Sequence, residues 1–224
     1  MDIAKTTILG NSSLGVFALS TEKYSVVPFG LKEKTITTII ETLDVQIIQT
    51  TISNSVLVGT LAVGNSDTLF LPSNASEKEF RTLKSSLGET TEIIEVNSKY
   101  TALGNLIAFN DKGAIISEIF EKGAQKQIQD VLNIEVTTGS LLGSPLVGSM
   151  IMSTNRGSLV HPLLSEEEIN EISSIFKVRT DVCTINRGVP YPRTGILANS
   201  KGAVIGSDST GPESMRIFEI LLSP

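Results

Sequence analysis

The chain has 224 residues, of which 40% are hydrophobic and 19% are charged, so it carries ample material for a folded core. Its net charge is −6, and its 18 Lys and Arg residues are scattered along the length. Such a pattern argues against a broad nucleic-acid groove or a DNA partner, because those sites neutralise phosphates with clustered cations. The single cysteine excludes an internal disulfide and fits a reducing compartment. Without a signal-peptide pattern or an apolar run of membrane-spanning length, we expect a cytoplasmic protein with no membrane contact.

The first element in chain order is a strand-like run, Ile3–Ile8, and a repeat of about 45 residues follows it. Four similar apolar runs, 44 or 45 residues apart, open with glycines: Gly15, Gly59, Gly104 and Gly148. A fifth run opens at Gly195. Glycines at the predicted hairpin tips keep the same spacing: Gly113, Gly157 and Gly202. A fixed period in this range indicates a solenoid, a propeller or another closed array.

Each unit is predicted to contain a two-stranded hairpin, a helix and a third strand. Polar turns such as 110–113 join the hairpin strands, because Asn, Asp and Gly tolerate the positive φ of tight turns. Three helix starts carry a capping box, in which a hydroxyl residue and a Glu three positions later satisfy free amides. The predicted helices are Ser76–Leu87, Ser165–Phe176 and Ser214–Leu222, with further ones near Lys32–Leu43 and Gln125–Leu132. The predicted third strands are Val45–Thr50, Thr91–Val96, Ile134–Thr138 and Val178–Thr184.

The fifth unit has no third strand, because the sequence stops at Pro224 directly after its helix. The N-terminal run is left over and can complete that unit, which would close the ring and remove an exposed strand edge. We therefore predict an α/β fold of five ββαβ repeats in a closed pseudo-fivefold ring, forming one domain over 1–224. The approximate repeats are 10–52, 53–98, 99–142, 143–186 and 187–224 plus the strand 3–8.

Several short motifs spread over the whole chain resemble translation initiation factor six, in its archaeal form. They are Thr101-Ala102-Leu103-Gly104-Asn105, Leu146-Val147-Gly148-Ser149, His161-Pro162, Ile185-Asn186-Arg187-Gly188, Asn199-Ser200-Lys201-Gly202-Ala203-Val204 and Asp208-Ser209-Thr210-Gly211-Pro212-Glu213. The resemblance implies the pentein fold, a five-bladed α/β propeller. It also implies a monomeric, non-enzymatic factor without a cofactor or metal.

The resemblance further implies that the partner is the large ribosomal subunit. Members of this family dock mainly on ribosomal protein L-fourteen beside the sarcin–ricin loop, with limited contact to ribosomal RNA. The bound factor prevents the small subunit from joining, and a role in large-subunit maturation is also implied.

The glycines that open the first strands are expected to converge at one end of the axis, where a partner backbone can approach closely. Asn105 matches a family position that contacts the ribosomal protein, and its amide can both donate and accept. Arg187 in a turn can reach an RNA phosphate or remain solvated. Thr60 and Met150 can face the partner or pack inward. The full set of candidates is Asn105, Gly104, Gly15, Gly59, Thr60, Gly148, Ser149, Met150 and Arg187.

Two other functions remain as alternatives. Enzymes of the same architecture act on guanidino groups with a nucleophilic Cys, a His and carboxylates. Here Cys183 lies among apolar residues of the fourth unit and His161 precedes a proline, which favours structural roles for both. A generic protein-binding scaffold also fits an acidic, rigid body.

Overall fold

The computed structural model describes residues 2–223. Within them, five small three-stranded sheets lie around a central axis, each built from one antiparallel and one parallel strand pair. The first hairpin strands are β2 (Leu19–Ser20), β5 (Val63–Gly64), β8 (Ile107–Phe109), β11 (Ile151–Ser153) and β14 (Ile196–Ala198). The second hairpin strands are β3 (Tyr24–Val27), β6 (Thr68–Pro72), β9 (Gly113–Ser117), β12 (Gly157–Val160) and β15 (Gly202–Gly206). The parallel third strands are β1 (Asp2–Thr6), β4 (Gln46–Gln49), β7 (Glu92–Val96), β10 (Glu135–Gly139) and β13 (Arg179–Val182).

Two classes of helix alternate along the chain. The long helices, of 11 residues each, are α2 (Glu33–Leu43), α4 (Glu77–Leu87), α6 (Lys122–Leu132), α8 (Glu166–Phe176) and α10 (Gly211–Leu221). The short helices, of four residues each, are α1 (Leu14–Phe17), α3 (Val58–Leu61), α5 (Leu103–Leu106), α7 (Val147–Met150) and α9 (Pro192–Gly195). The long helices lie on the outside, whereas neighbouring short helices contact one another around the axis.

The N-terminal strand closes the ring, as the sequence predicts. β1 pairs in parallel with β15 over five positions, from Asp2 opposite Gly202 to Thr6 opposite Gly206. This pairing supplies the strand that the fifth unit lacks, and the predicted α/β fold of five repeats is confirmed.

The capping boxes also form as predicted. Ser76 with Glu79, Ser165 with Glu168 and Thr210 with Glu213 each make both reciprocal hydrogen bonds at the starts of α4, α8 and α10. The apolar face of each long helix packs between its own sheet and the sheet of the preceding unit. In α4 that face is Leu83 and Leu87, both buried in a cluster that includes Tyr24 and Val26 of the first unit. The buried core is largely aliphatic and divides into clusters shared between neighbouring units, with Tyr24, Phe70 and Phe176 among its largest side chains.

One prediction about the repeat is wrong. The glycines at 15, 59, 104 and 148 are not at the starts of strands; each is the second residue of a short helix. The order of elements in each unit is therefore helix, strand, strand, helix, strand. The third long helix also begins earlier than predicted, at Lys122 rather than Gln125.

Candidate interface at one end of the ring

The second residues of the short helices form a tight circle around the axis. A Cβ atom added to Gly59 would overlap the carbonyl oxygens of Gly15 and Ala18, and one added to Gly104 would overlap that of Gly59. In the same way, a Cβ atom added to Gly148 would overlap the carbonyl oxygen of Gly104, and one added to Gly15 would overlap that of Arg193. Adjacent units therefore approach backbone to backbone, at a distance that only glycine permits.

This packing corrects the expected role of the four repeat glycines. All of them are buried, and the chain that approaches them is the preceding unit of the ring rather than an outside partner. Gly15, Gly59, Gly104 and Gly148 hold the ring together and do not themselves provide a binding surface.

The fifth member of the circle is Arg193, not the predicted Gly195. Arg193 is the second residue of α9. Its carbonyl oxygen lies against Gly15, in the same way as the carbonyl oxygen of Gly15 lies against Gly59. A Cβ on Gly195 would instead meet the side chains of Ile185 and Asn186. Arg193 is one of the residues that line a cavity of about 30 Å³ on the axis. Removal from solvent lowers the pKa of its guanidinium to about 10, so this side chain is still cationic at neutral pH.

A tight turn precedes each short helix, and the five turns lie at the same end of the ring, because every third strand runs toward that end. We call this surface the turn face; it consists of the turns 8–11, 52–55, 97–100, 141–144 and 185–189 and the residues that link each to its short helix. In the first turn, reciprocal backbone hydrogen bonds of 3.0 and 2.9 Å join Ile8 and Asn11. The turns of the second and fourth units are closed by the same pair of bonds.

Two of these turns hold leucine in the left-handed region of backbone conformation. Leu9 has φ 51° and Leu142 has φ 53°, and each is followed by a glycine with positive φ. For a residue other than Gly, Asn or Asp this conformation costs roughly 1–2 kcal/mol. Both side chains are also exposed, by 46% and 42%. Backbone strain and an exposed apolar side chain thus occur together at both positions.

Further apolar side chains surround these leucines on the turn face. Val56, Leu57, Leu146 and Val189 are all exposed, and they lie in or directly after turns of the second, fourth and fifth units. In the third unit the ammonium group of Lys99 lies 5.0 Å from the centre of the Tyr100 ring. The turn face therefore presents scattered apolar contacts from every unit around a common axis.

Glutamates at the starts of two outer helices fix the turns in position. Glu213 accepts backbone N–H bonds from Arg187 at 3.2 Å and Gly188 at 2.9 Å, and a hydroxyl bond from Thr184 at 2.9 Å. Desolvation alone would raise the pKa of this carboxyl, but the bonds from Thr210, Gly188, Thr184 and Arg187 together outweigh it and hold the pKa at about 2. Glu213 thus stays ionised and keeps the fifth turn in one conformation.

Glu79 does the same for the second turn. It accepts N–H bonds from Ser53 at 3.0 Å and Asn54 at 2.8 Å, and the hydroxyl of Thr51 at 2.6 Å. Desolvation opposes ionisation, but these bonds and those from Ser76 leave the pKa of Glu79 below its usual value. Two non-glycine residues with positive φ, Ser53 and Asn54, are held in this way.

The other units hold their turns differently. In the third unit the N-cap residue Glu121 accepts the hydroxyl of Ser98 at 2.7 Å, and in the first unit Thr35 donates to the carbonyl of Thr7 at 3.2 Å. In the fourth unit, within residues 2–223, Glu168 accepts only from Ser165 of its own helix start. The turn that carries Leu142 is therefore not clamped by a carboxylate.

Of the predicted side chains, Thr60 and Asn105 lie in the short helices that follow the turn face, and Arg187 lies in the turn face itself. Asn105 is half-buried in α5, and its Oδ1 accepts the hydroxyl of Ser149 at 3.0 Å, which orients the amide. Thr60 is half-buried, and its hydroxyl lies 3.4 Å from the carbonyl oxygen of Val16. Arg187 is exposed in the fifth turn. Their contacts with a partner remain predictions.

Two candidates remain, Ser149 and Met150. Ser149 is buried. Of the two orientations left open for Met150, the structure shows the inward one. Met150 is buried, in the core cluster with Val147 and Phe176, because the short helix turns this side chain inward. Sequence reasoning also missed the exposed leucines. The signal that could have found them is the pair Leu9-Gly10 and Leu142-Gly143, which lie in equivalent places of two repeats.

Three comparisons with known proteins bear on this chain. Residues 3–220 match the model of the eIF-6 family. The chain belongs to the eIF-6 family. It is 43% identical to translation initiation factor 6 of Pyrococcus abyssi and 42% identical to that of Methanococcus vannielii, over 99% and 98% of both chains respectively. The corresponding factor of Pyrobaculum aerophilum is 37% identical over 98% of this chain and 99% of its own. Membership in this family supports a role in translation initiation.

The solved structures confirm the fold only. The N-terminal domain of ArgZ, a cyanobacterial arginine dihydrolase with bound substrate, superimposes with a TM-score of 0.58 at 12% identity, covering 85% of this chain and 76% of that one. This is the pentein architecture. Identity at this level carries no information about activity.

The residues expected of a guanidino-modifying enzyme are not arranged for that chemistry here. Cys183 is buried and its thiol donates to the carbonyl of Thr184 at 3.0 Å; desolvation, reinforced by Glu213, raises its pKa to about 12. His161 is buried against Tyr191, its Nδ1 accepts the N–H of Leu163, and burial lowers its pKa.

Within residues 2–223, no group of three or more His, Cys, Asp or Glu side chains is placed to hold a metal ion. None of the helices in this part of the chain is long and apolar enough to cross a membrane.

Proposed function

We propose that this protein binds the large ribosomal subunit through the turn face and thereby keeps the small subunit from joining. The observation that carries the proposal is the pair of exposed leucines, Leu9 and Leu142, held in a strained backbone conformation at one end of the ring. A folded protein retains such strain and exposure where a partner covers the site. Family membership supports a role in translation initiation, because relatives of this chain are named as translation initiation factors, and a ribosomal partner fits that role.

The mechanism is steric. One end of a rigid ring is buried against the subunit, and the remaining body occupies space that the small subunit needs. We propose that ribosomal protein L-fourteen, beside the sarcin–ricin loop, is the main contact, with Asn105 and Thr60 near the centre and the leucines further out. A cytoplasmic location and a further role in large-subunit maturation belong to the same proposal.

Contact with ribosomal RNA is proposed to be limited. The chain has a net charge of −6, and the exposed cations on the turn face include only Lys99 and Arg187. Binding that depends mainly on protein contact should weaken modestly with salt, whereas binding to many phosphates falls steeply.

The test is co-sedimentation of the purified protein with archaeal large and small subunits. We expect migration with the large subunit alone and fewer joined ribosomes. The double variant Leu9→Asp/Leu142→Asp should bind at least about tenfold more weakly, since it removes two apolar contacts worth about 1 kcal/mol each at half exposure. Aspartate tolerates the left-handed conformation, so folding should be preserved.

The control is Met215→Asp, which places one negative charge on the outer helix α10 at a side chain that is 76% exposed. It should bind as the unchanged protein does. Equal affinity of the double variant and the unchanged protein would contradict docking through the turn face. Failure of the unchanged protein to bind either subunit would overturn the proposal as a whole.

As a second probe, Asn105→Glu should also lower the affinity while leaving the fold intact.

A further inference from the structure

The turn of the fourth unit has every part of the carboxylate clamp that holds the turn of the second unit, but its clamp is open. In the second unit Glu79 accepts from a hydroxyl 28 residues before it and from the N–H groups 26 and 25 residues before it. Counted back from Glu168, the same three positions are Ser140, Leu142 and Gly143. The backbone matches as well, because the last two residues have φ values of 53° and 70°, and their counterparts in the second turn have 54° and 57°.

The helix side of this clamp is already half made. Oε2 of Glu168 accepts the N–H and the hydroxyl of Ser165, both at 2.8 Å, in the capping box of α8. Oε2 of Glu79 accepts the N–H of Ser76 at 2.8 Å in the same way, while its Oε1 accepts from the turn. Within residues 2–223, Oε1 of Glu168 accepts no hydrogen bond. Capping the helix and holding the turn therefore do not compete for the same oxygen.

The turn side of the clamp is separated from this oxygen by open space. Ser140 and Glu168 line one cavity of about 180 Å³, whose other residues belong to β9, β10, the start of the turn and α8. The N–H groups of Leu142 and Gly143 have no acceptor in the part of the chain that the structure describes, and both residues are exposed. Water therefore solvates these two N–H groups in the free protein.

We infer that the fourth turn is a two-state element, open in the free protein and closed onto Oε1 of Glu168 when a partner covers Leu142. Covering the turn expels the water that solvates the N–H groups of Leu142 and Gly143, and a buried N–H without an acceptor is costly. Oε1 of Glu168 is the acceptor in register with them, so docking shifts the population toward the clamped form.

Closure fixes the exposed Leu142 in one position against the partner, which makes Glu168 a positioning residue for the turn face. The inference rests on the proposed function for the partner that covers the turn. The existence of two states of the turn does not depend on that function, so the two can be tested separately.

The free protein tests the two states without a ribosome. A closed form populated at about 1% exchanges with the open form in microseconds to milliseconds, which NMR relaxation dispersion detects. We expect exchange at the amides of Leu142 and Gly143 and none at Ser53 and Asn54, whose clamp is closed. The exchange should disappear in Glu168→Gln, because Gln keeps one oxygen for the helix cap and has no second one for the turn. Absence of exchange at Leu142 and Gly143, or exchange that persists in the variant, would overturn the inference.

Affinity for the large subunit tests the coupling to docking. Glu168→Gln should bind at least about fivefold more weakly, because two N–H groups are then covered without an acceptor. The matched control is Ser165→Ala, which removes the hydroxyl of the same helix cap, leaves both carboxylate oxygens in place and should bind as the unchanged protein does. Equal affinity of Glu168→Gln and the unchanged protein would overturn closure on docking. If the unchanged protein does not bind the subunit, the proposed function and the coupling both fail, and the exchange measurement decides the two-state turn by itself.

Discussion

The two ends of the ring satisfy their polar groups in opposite ways. At the hairpin tips, side chains of one unit bond to the backbone of the next: Asn199 donates to the carbonyls of Thr21 at 3.0 Å and Leu43 at 2.8 Å, and Asn110 repeats this with Thr154 and Phe176. At the turn face, carboxylates hold individual turns in shape while apolar side chains remain exposed. The tips thus join units together, whereas the turn face is fixed in shape but left uncovered, which suits it to a partner.

The largest expected effect on stability comes from removing the carboxylate that holds the fifth turn. Glu213→Ala leaves the N–H groups of Arg187 and Gly188 without their acceptor and removes the helix cap, so the free energy of unfolding should fall by about 2–4 kcal/mol. Glu168→Ala, which has only its own helix start to lose, should cost about 1 kcal/mol. Urea unfolding of both variants measures the difference, and equal losses would show that the clamp is not important.

The same carboxylate predicts a dependence of stability on pH. Because the pKa of Glu213 is lowered in the folded protein to about 2, its contribution is fully present above the unfolded value of 4.5 and is lost as the pH falls from 4.5 toward 2. Glu213→Gln should therefore lose less stability than the unchanged protein over that interval, as urea unfolding at several pH values would reveal. Parallel curves for the two proteins would contradict this assignment.

A smaller effect on stability, and none on binding, is expected at the opposite end. Asn199→Ala removes two bonds across the seam between the fifth and first units and the support of its own turn, so it should cost about 2–3 kcal/mol. Its affinity for the large subunit should equal that of the unchanged protein, whereas Glu213→Ala should bind several-fold more weakly through its loosened turn. Weakened binding in the Asn199 variant would show that the two ends are not functionally separate.

The smallest change should be a gain in stability. Leu142→Asn places a residue that tolerates the left-handed conformation in an exposed, unclamped turn, so it should stabilise the fold by about 1 kcal/mol and raise Tm by about 2–4 °C. Subunit affinity should fall at the same time, because an apolar contact is lost. A lower Tm would mean that the backbone at Leu142 is not strained. Unchanged affinity would place this turn outside the interface.

The architecture could be predicted from the amino-acid sequence. The spacing of glycines, the capping boxes at residues 76, 165 and 210 and the missing strand of the last unit are local or periodic signals, and they predict five units closed by the N-terminal strand. Such features can be read without coordinates because hydrogen bonding within one helix start or one turn depends only on near neighbours in the chain.

The roles of those elements depend on contacts that form only in the folded chain. Gly15, Gly59, Gly104 and Gly148 were recognised as equivalent, yet the close approach that requires them comes from neighbouring units of the same ring. Arg193, rather than Gly195, takes the fifth place, and Glu213 reaches a turn 25 residues before it. Which side chains face the axis, the core or the solvent depends on contacts between residues distant in sequence, and the repeat pattern contains no information about them.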